Sequence, residues 1–366
     1  MEKTINYMGP VNNLGYGIAS KNILYQLDPH VSLTYFPIGN PEEYDQDKVN
    51  VLRKAIARQD KVGVSDYGLK VWHEFALAER PPCKKFIGFP IFEVDILPER
   101  SVYQIRSCDY IFVASKWAKT VIENSFKEYN MTIPTTDGKD FINVVPLGVD
   151  LDTFSAREPV KNDKCRFFNC GKWEIRKGHD ILLKAFQEAF PSQLDVSLNM
   201  MCTNIFPQAK KFSDAMEDMY SSDIRVQFID RVNTSQEVAN VMASMDCGVF
   251  PSRAEGWNLE LLEMMAMNKR VIATNYSAHT EFCDKEKCKL INIEDLTQAY
   301  DGLWFDGSKK WADIGPKQIS QLAKAMKDTY LEWKTNGVLT NENGVSTAQS
   351  FNWENTCNKI LEFTKD

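Results

Sequence analysis

Two glutamates eight positions apart are the most informative polar residues of this sequence. Glu255 lies in the loop after an apolar run, and Glu263 lies inside the helix predicted to follow. Amides at a helix start have no intrahelical partner and a partial positive charge, so they can bind an anion such as a phosphate. Glu263 would then reach a neutral diol beside that anion. The amides concerned belong to Gly256, Trp257, Asn258 and Leu259.

A second loop carries three cations between two glycines. Lys172, Arg176 and Lys177 follow a predicted strand and precede a predicted helix. Clustered cations beside a helix start are suited to holding a diphosphate. Taken alone, the pattern is more typical of a solvated turn, so it carries weight only together with its neighbours.

The cysteines and histidines give no metal pattern. The nine cysteines are odd in number and scattered, and no two form a C-x-x-C pair, so we expect buried, reduced thiols. The four histidines lie too far apart in sequence for zinc-type spacing. We therefore predict no metal site.

The elements that must position these residues alternate along the chain. Strand-like runs separated by helical patterns predict parallel sheets covered by helices on both faces. We predict strands at 3–8, 31–36, 61–64, 84–88, 109–114, 141–146, 165–170, 195–201, 224–229, 246–250, 270–274 and 288–292, and helices at 18–28, 47–59, 115–128, 179–190, 208–220, 234–244, 259–268, 317–334 and 352–364, with a loose segment at 341–344. Two sets of six strands predict an α/β protein of two Rossmann-like, doubly wound domains facing a ligand cleft.

Length and composition agree with this organisation. The 366 residues are a two-domain length, and 43% hydrophobic with 25% charged residues exclude a disordered or fibrous protein. The net charge of −7 disfavours nucleic acid as a partner without excluding it. The first residues lack a signal-peptide apolar region and no apolar run approaches membrane-spanning length, so we expect a cytoplasmic protein.

Together the motifs resemble the retaining glycosyltransferases of family four, glycosyl transferases group 1, which have the GT-B fold. Three motifs in the family's order carry the resemblance: 145–154, 171–186 and the Glu255-x7-Glu263 pair. The resemblance implies an N-terminal Rossmann-like acceptor domain at 1–155, a nucleotide-sugar donor domain at 156–345, and a C-terminal helix at 346–366 that crosses back to the first domain. It also implies a metal-independent, retaining enzyme of the hexosyltransferase type. Such an enzyme moves a sugar from a nucleoside-diphosphate sugar, its co-substrate, to an acceptor hydroxyl, without any other cofactor.

The resemblance assigns roles to individual residues of the second half. Glu255 would contact hydroxyls of the donor sugar, and Glu263 would bond the ribose of the nucleotide. Lys172 and Lys177 would hold the donor diphosphate, together with the amides at 256–259. Lys172 stands where the family usually has arginine, and Arg176 is a candidate to compensate.

In the first half, Gly15 and Gly17 resemble the family's glycine-rich loop, which lets the backbone approach the donor phosphates. His73 resembles a histidine that faces the transferring sugar, so the implied catalytic residues are Glu255, His73 and Lys177. Without the other motifs His73 would be read as a packed core residue.

Two departures from the family pattern matter. Asn258 replaces a glycine, but asparagine is the best non-glycine residue for a left-handed backbone, and Asn268 can likewise end the helix after it. The pair Asp150 and Asp152 spells D-x-D, the metal motif of another glycosyltransferase fold. Because Asp150 belongs to the linker signature of this family, we interpret it as structural.

The sequence does not identify the acceptor. The basic amphipathic pattern at 47–58 fits a solvated helix face best, but it also fits an anionic membrane and a glycan or lipid-linked glycan acceptor at the inner membrane surface. It fits DNA as well, as in enzymes that glycosylate hydroxylated bases. A nucleotide-sugar-binding protein without turnover is a further alternative, whereas an epimerase or phosphorylase is less favoured. The donor, the linkage and the oligomeric state are not determined by the sequence.

Overall fold

The structure is a computed structural model that describes residues 3–61 and 63–365. The chain forms two compact units. Unit 1 comprises the chain up to Phe92, Ile96–Gly148 and the chain from Phe351 onward, and unit 2 comprises Glu93–Asp95 and Val149–Ser350. The main division therefore falls at Gly148, ahead of the predicted position 155.

Unit 1 is built on a six-stranded parallel sheet with the strand order β2-β1-β3-β4-β5-β6. Its elements are β1 Thr4–Gly9, α1 Gly15–Leu27, β2 Ser32–Pro37, α2 Gln46–Ala57, β3 Ser65–Val71, β4 Cys83–Phe89, α3 Glu99–Arg106, β5 Tyr110–Val113, α4 Lys116–Glu128 and β6 Ile142–Val144.

The prediction of a strand at 61–64 is wrong, because the third strand is Ser65–Val71. Polar residues and a glycine in this stretch obscure the apolar pattern. The Lys70 ammonium donates to the Glu79 carbonyl at 2.7 Å, which lets a buried lysine sit in a central strand. A Cβ at Gly68 would lie 2.6 Å from Cys83 Sγ, so the glycine permits close packing against the neighbouring strand.

Unit 2 contains a second six-stranded parallel sheet with the order β12-β11-β10-β7-β8-β9 and a two-stranded hairpin, β13-β14. Its elements are β7 Cys165–Gly171, α5 His179–Ala189, β8 Val196–Cys202, α6 Lys210–Ser221, β9 Val226–Phe228, α7 Ser235–Ala243, β10 Cys247–Phe250, α8 Leu259–Ala266, β11 Arg270–Asn275, β12 Lys289–Asn292, β13 Leu296–Tyr300, β14 Asp306–Ala312, α9 Pro316–Asn336 and α10 Glu342–Ser350. The two sheets confirm the predicted fold class of two Rossmann-like domains.

Two parts of unit 2 differ from the sequence expectations. The segment 341–344 is not loose: α10 begins at Glu342, and the Asn341 side chain accepts from the Gly344 amide at 3.1 Å and donates to the Lys269 carbonyl at 3.0 Å. The hairpin β13-β14 was not predicted at all. Its strands are short and mostly exposed, so they lack a strong apolar signal.

The last helix, α11 Trp353–Phe363, belongs to unit 1. The Thr356 hydroxyl donates to the Pro146 carbonyl at 2.8 Å, and a Cβ at Gly148 would lie 2.3 Å from the backbone of Asn352. The glycine before the division between the units therefore allows the last helix to approach.

All nine cysteines are free and seven of them are buried, in keeping with the expected thiols. Within residues 3–61 and 63–365, none of the helices combines the length and the apolar character needed to cross a membrane.

Candidate active site

The two loops singled out in the second half lie side by side in unit 2. The 171–178 loop leaves the carboxyl end of β7, and the 251–258 loop leaves that of β10, which pairs with β7 in parallel. The Arg253 amide donates to the Arg176 carbonyl at 2.7 Å. The Arg253 guanidinium donates two hydrogen bonds to the Asp180 carboxylate, at 2.7 and 2.9 Å. These bonds fix the two loops to each other at the edge of a parallel sheet where ligands bind in such folds.

Glu255 is the centre of a buried charge cluster. The residue is 4% exposed, Oε2 accepts from Arg176 Nη1 at 2.7 Å, and Oε1 accepts from Lys177 Nζ at 3.2 Å. The Ser252 hydroxyl adds a further bond to Oε1 at 2.8 Å. Burial by itself would raise the pKa of Glu255, but Arg176 and Lys177 outweigh it and hold the pKa well below its ordinary value. Glu255 is therefore a fixed, ionised acceptor of hydrogen bonds.

Arg176 donates hydrogen bonds to two carboxylates. Besides Glu255, it donates from Nη2 to Glu174 Oε2 at 2.8 Å and from Nη1 to the Ala254 carbonyl at 2.8 Å. These bonds occupy both terminal nitrogens of Arg176 and hold its guanidinium against the two carboxylates. Lys172 pairs with Glu174 Oε1 at 2.7 Å, and its side chain stays 34% exposed.

Lys177 depends on the two glycines that bound its loop. At Gly171, where φ is +135°, a Cβ would lie 3.0 Å from the Lys177 side chain. At Gly178, where φ is +77°, a Cβ would lie 2.3 Å from the Pro251 carbonyl oxygen. Burial lowers the pKa of Lys177, but Glu255 and Glu260 outweigh it and raise the pKa above its ordinary value. The lysine therefore keeps its charge inside the cluster.

Asn258 shapes the start of α8. Its φ of +85° confirms the predicted left-handed conformation, and its Oδ1 caps the helix by accepting from the Leu261 amide at 3.2 Å. Its Nδ2 donates to His279 Nε2 at 2.9 Å, and His279 Nδ1 donates to the Thr274 carbonyl at 3.1 Å. Asn268, with φ +64°, ends the same helix in the left-handed region, as predicted. Helix geometry leaves the amides of Leu259, Glu260 and Leu261 without i−4 partners, and of these the Leu261 amide is already capped by Asn258.

Glu263 differs from Glu255 although both are buried. Within the part of the chain that the structure describes, its carboxyl has no hydrogen-bond or ion-pair partner. Burial, together with Glu260 and Asp150, raises the pKa of Glu263 well above its ordinary value. A neutral carboxyl offers both a donor and an acceptor, which suits a diol.

The predicted residues of the first half come together within unit 1. Gly15 starts α1, and a Cβ at Gly17 would lie 2.1 Å from Asn12 Oδ1, so only Gly17 is sterically required. Tyr16, between the glycines, contacts His73 with ring centroids 4.5 Å apart, and its hydroxyl bonds the Ile91 carbonyl. His73 follows β3 and is stacked on Phe75 at 5.0 Å.

Sequence reasoning missed several residues of the unit 2 cluster. His279 was given little weight, although its place after β11, beside β10, put it next to the 251–258 loop. Glu174 was not considered as the second partner of Arg176. Glu93 belongs to unit 2, and burial raises its pKa while Arg176 opposes that effect. No sequence signal marked Glu93, because it follows β4 of unit 1 in the chain.

Asp150 is used in a local turn. Its Oδ1 accepts from the Asp152 amide at 3.1 Å, and its Oδ2 accepts from the Thr153 hydroxyl at 2.6 Å. This geometry agrees with the structural interpretation of the D-x-D sequence. Across the described residues, no group of three or more His, Cys, Asp or Glu side chains is arranged as a metal site.

Comparison with known proteins connects this geometry to a family. The model of glycosyl transferases group 1 matches residues 164–304, which contain both loops of the cluster. The fold of the whole chain is similar to that of trehalose 6-phosphate synthase from Burkholderia multivorans (TM-score 0.69, 11% identity, 100% of this chain and 98% of that one). It is also similar to HepE of Anabaena, solved in complex with UDP and glucose (TM-score 0.65, 13% identity, 99% of each chain). The predicted GT-B fold and the resemblance to group 1 are thereby confirmed.

A curated relative covers only part of the chain. The GPI3 subunit of phosphatidylinositol N-acetylglucosaminyltransferase from Saccharomyces cerevisiae is 25% identical over 190 residues. The match spans 49% of this chain and 40% of the length of that relative.

Proposed function

We propose that this chain, which has the GT-B fold and a second unit matched by glycosyl transferases group 1, is a glycosyltransferase. It moves a sugar from a nucleoside-diphosphate sugar to a hydroxyl of an acceptor, which we propose to be a glycan or a lipid-linked glycan. The observation that carries this proposal is the buried Glu255, Arg176 and Lys177 cluster beside the start of α8, within the matched region.

The donor diphosphate is assigned to the cationic side of this cluster. Lys177 Nζ is 4.0 Å from the Glu260 carboxylate, a loose contact that a diphosphate oxygen can replace. Lys172, one-third exposed, can turn toward the same anion. The first amides of α8 add hydrogen bonds and the positive end of the helix dipole. These groups carry the charge of a departing nucleoside diphosphate by preorganised electrostatics.

The sugar and the ribose are assigned to the two glutamates. Glu255 stays ionised and held by Arg176, so it can accept hydrogen bonds from sugar hydroxyls without moving. Glu263, unpaired and with a raised pKa, can exchange hydrogen bonds with the ribose hydroxyls.

The proposed reaction is retaining and needs no metal ion. The bond between the anomeric carbon and the diphosphate oxygen breaks, and its electron pair stays with the diphosphate. The acceptor oxygen bonds to the same face of that carbon, and its proton passes to the departing diphosphate oxygen. The family resemblance supports retention, and the lysines support charge stabilisation by the protein itself. We assign His73 to the sugar side of this step on the resemblance alone.

The test is donor binding and turnover. A panel of UDP-, GDP- and ADP-sugars is added to the purified chain, beginning with UDP-glucose and UDP-N-acetylglucosamine because of the proteins to which the chain is similar. We expect one donor to raise the midpoint of thermal unfolding and to release its nucleotide when an acceptor is present. Lys177→Ala should abolish the shift, and Glu255→Gln should abolish turnover.

Lys184→Ala is the matched control, because Lys184 is an exposed lysine of α5 in the same unit. It should behave as the unmodified chain does. Donor binding and turnover that are insensitive to both site variants would refute the site assignment, and the absence of any donor shift would refute the function.

A further inference from the structure

The hairpin β13-β14 is attached directly to the Glu255 loop. One face of the hairpin is buried: Trp311, 1% exposed, and Ala299 pack against Ala254. The Ala312 amide donates to the Arg253 carbonyl at 3.0 Å. A two-stranded hairpin is barely stable alone, so this packing holds it in place. The hairpin therefore has a fixed position beside the charge cluster.

The tip of the hairpin is held rigidly although it is exposed. Asp301 Oδ1 accepts from three successive amides, those of Leu303, Trp304 and Phe305, at 2.8, 2.8 and 2.9 Å. Gly302 supplies the positive φ of +74° that the turn requires. The result is a tryptophan, 44% exposed, displayed on an ordered turn. A tryptophan fixed at the surface can offer a large apolar face to a ligand.

Trp304 meets a second aromatic side chain near the cationic loop. Its ring lies 5.5 Å from that of Phe206, which follows β8, at an interplanar angle of 74°. Lys172 Nζ lies 5.6 Å from the Phe206 ring on the same unit. We call Phe206 and Trp304 the aromatic platform. Phe206 of the platform therefore lies beside Lys172, the residue assigned to the donor diphosphate.

We propose that the aromatic platform binds a pyranose ring of a carbohydrate acceptor. The C–H face of a pyranose is apolar and packs on aromatic rings, whereas its hydroxyls point sideways to polar groups such as the Asn204 amide, which bonds the Trp173 carbonyl at 3.2 Å beside the platform. The occupant follows from the location. An acceptor must approach the donor, Phe206 lies beside Lys172, and the hairpin that carries Trp304 packs on the loop of Glu255. This inference rests on the proposed function, and it adds the place where a sugar ring of the acceptor binds.

The experiment uses a printed glycan array probed with the labelled full chain, in parallel with donor binding by thermal shift. We expect the unmodified chain to retain one class of glycan. Trp304→Ala and Phe206→Ala should each weaken that binding by about tenfold, the size of one aromatic contact. The donor-induced thermal shift should stay unchanged in Trp304→Ala, because Phe206 and not Trp304 contacts Lys172. Tyr103→Ala, which removes an exposed aromatic residue of α3 in unit 1, should bind glycans as the unmodified chain does.

Several results would overturn the platform. The first two are a lack of glycan binding by the unmodified chain and equal glycan binding by Trp304→Ala. Loss of the donor-induced thermal shift in Trp304→Ala would assign the rings to the nucleotide. Self-association that Trp304→Ala removes would assign the rings to a second copy of the chain. The donor arm separates the two proposals. A chain that binds a nucleotide sugar but no glycan keeps the glycosyltransferase assignment and loses both the platform and the glycan acceptor. A chain that binds no nucleotide sugar loses the function.

Discussion

At the scale of single residues, the site depends on one arginine that no ligand is assigned to. Arg176 pairs with both Glu174 and Glu255. Without it, Glu174 would keep only Lys172 as a charged partner within hydrogen-bond distance, and Glu255 only Lys177. Removing one partner from a buried charge cluster costs about 3–5 kcal/mol, because the remaining charges stay desolvated. Arg176 therefore contributes to both the stability of unit 2 and the ionisation of Glu255.

Two buried histidines make the stability of the chain depend on pH. Burial lowers the pKa of His179 to about 3 and that of His279 to about 4. An unfolded histidine titrates near pH 6.5, so below that pH the unfolded chain binds protons that the folded chain does not. The free energy of unfolding should therefore be unaffected by them above pH 6.5 and fall as the pH decreases toward 4, by roughly 1.4 kcal/mol per pH unit for each histidine.

Chemical denaturation between pH 7.5 and 5.0 measures this dependence. His279→Gln should reduce the slope of the unfolding free energy against pH by an amount that corresponds to about one proton. His30→Gln, which changes an exposed histidine, serves as the control. If the free energy of unfolding changes with pH by the same slope in the unmodified chain, His279→Gln and His30→Gln, then His279 is protonated in the folded chain.

At the scale of elements, the sequence indicated the site better than it indicated its surroundings. Strands β7 and β10 are apolar and short, so their ends, and hence the loops with Lys177 and Glu255, could be placed from sequence. The Asn258 conformation could also be predicted, because few residues accept a left-handed backbone. The hairpin could not, because its stability comes from Trp311 packing on Ala254, a contact between segments distant in sequence.

The turn into α5 gives a prediction at this scale. Gly178→Ala would force a Cβ within 2.3 Å of the Pro251 carbonyl at a φ of +77°. The left-handed backbone alone costs about 1–2 kcal/mol, and the backbone clash adds to it, so the 171–178 and 251–258 loops should separate. We expect a lower midpoint of thermal unfolding and loss of nucleotide-sugar binding.

Gly315→Ala is the control for this change, because φ is −94° there and a Cβ would make only an ordinary contact, 3.9 Å from Gln318 Oε1. Unchanged stability and donor binding in Gly178→Ala would mean that the two loops are not held as close as the structure places them.

At the scale of the whole molecule, the chain leaves unit 1 and returns to it. The last helix packs on α1, where Cys357 Sγ donates to the Gln26 carbonyl at 3.2 Å, and Phe363 contacts Tyr110 and Phe112 of β5 with ring centroids 4.8 and 5.0 Å apart. The family resemblance implied this crossing, whereas composition and periodicity predicted only a helix at 352–364. Local pattern specifies a helix, but its partner depends on contacts with residues more than two hundred positions away.

Because α11 belongs to unit 1, a destabilising substitution in this helix should lower the stability of unit 1 and leave that of unit 2 unchanged. Ile360 is fully buried, so Ile360→Ala should cost about 2–5 kcal/mol. Hydrogen exchange followed by mass spectrometry should show faster exchange in α1, β5 and α11, while α5, α8 and the sheet of unit 2 keep their protection. Lys359→Ala, an exposed position of the same helix, should change neither unit. Equal acceleration in both units would show that they unfold together, because the loss of a unit 1 contact would then be transmitted through the whole chain.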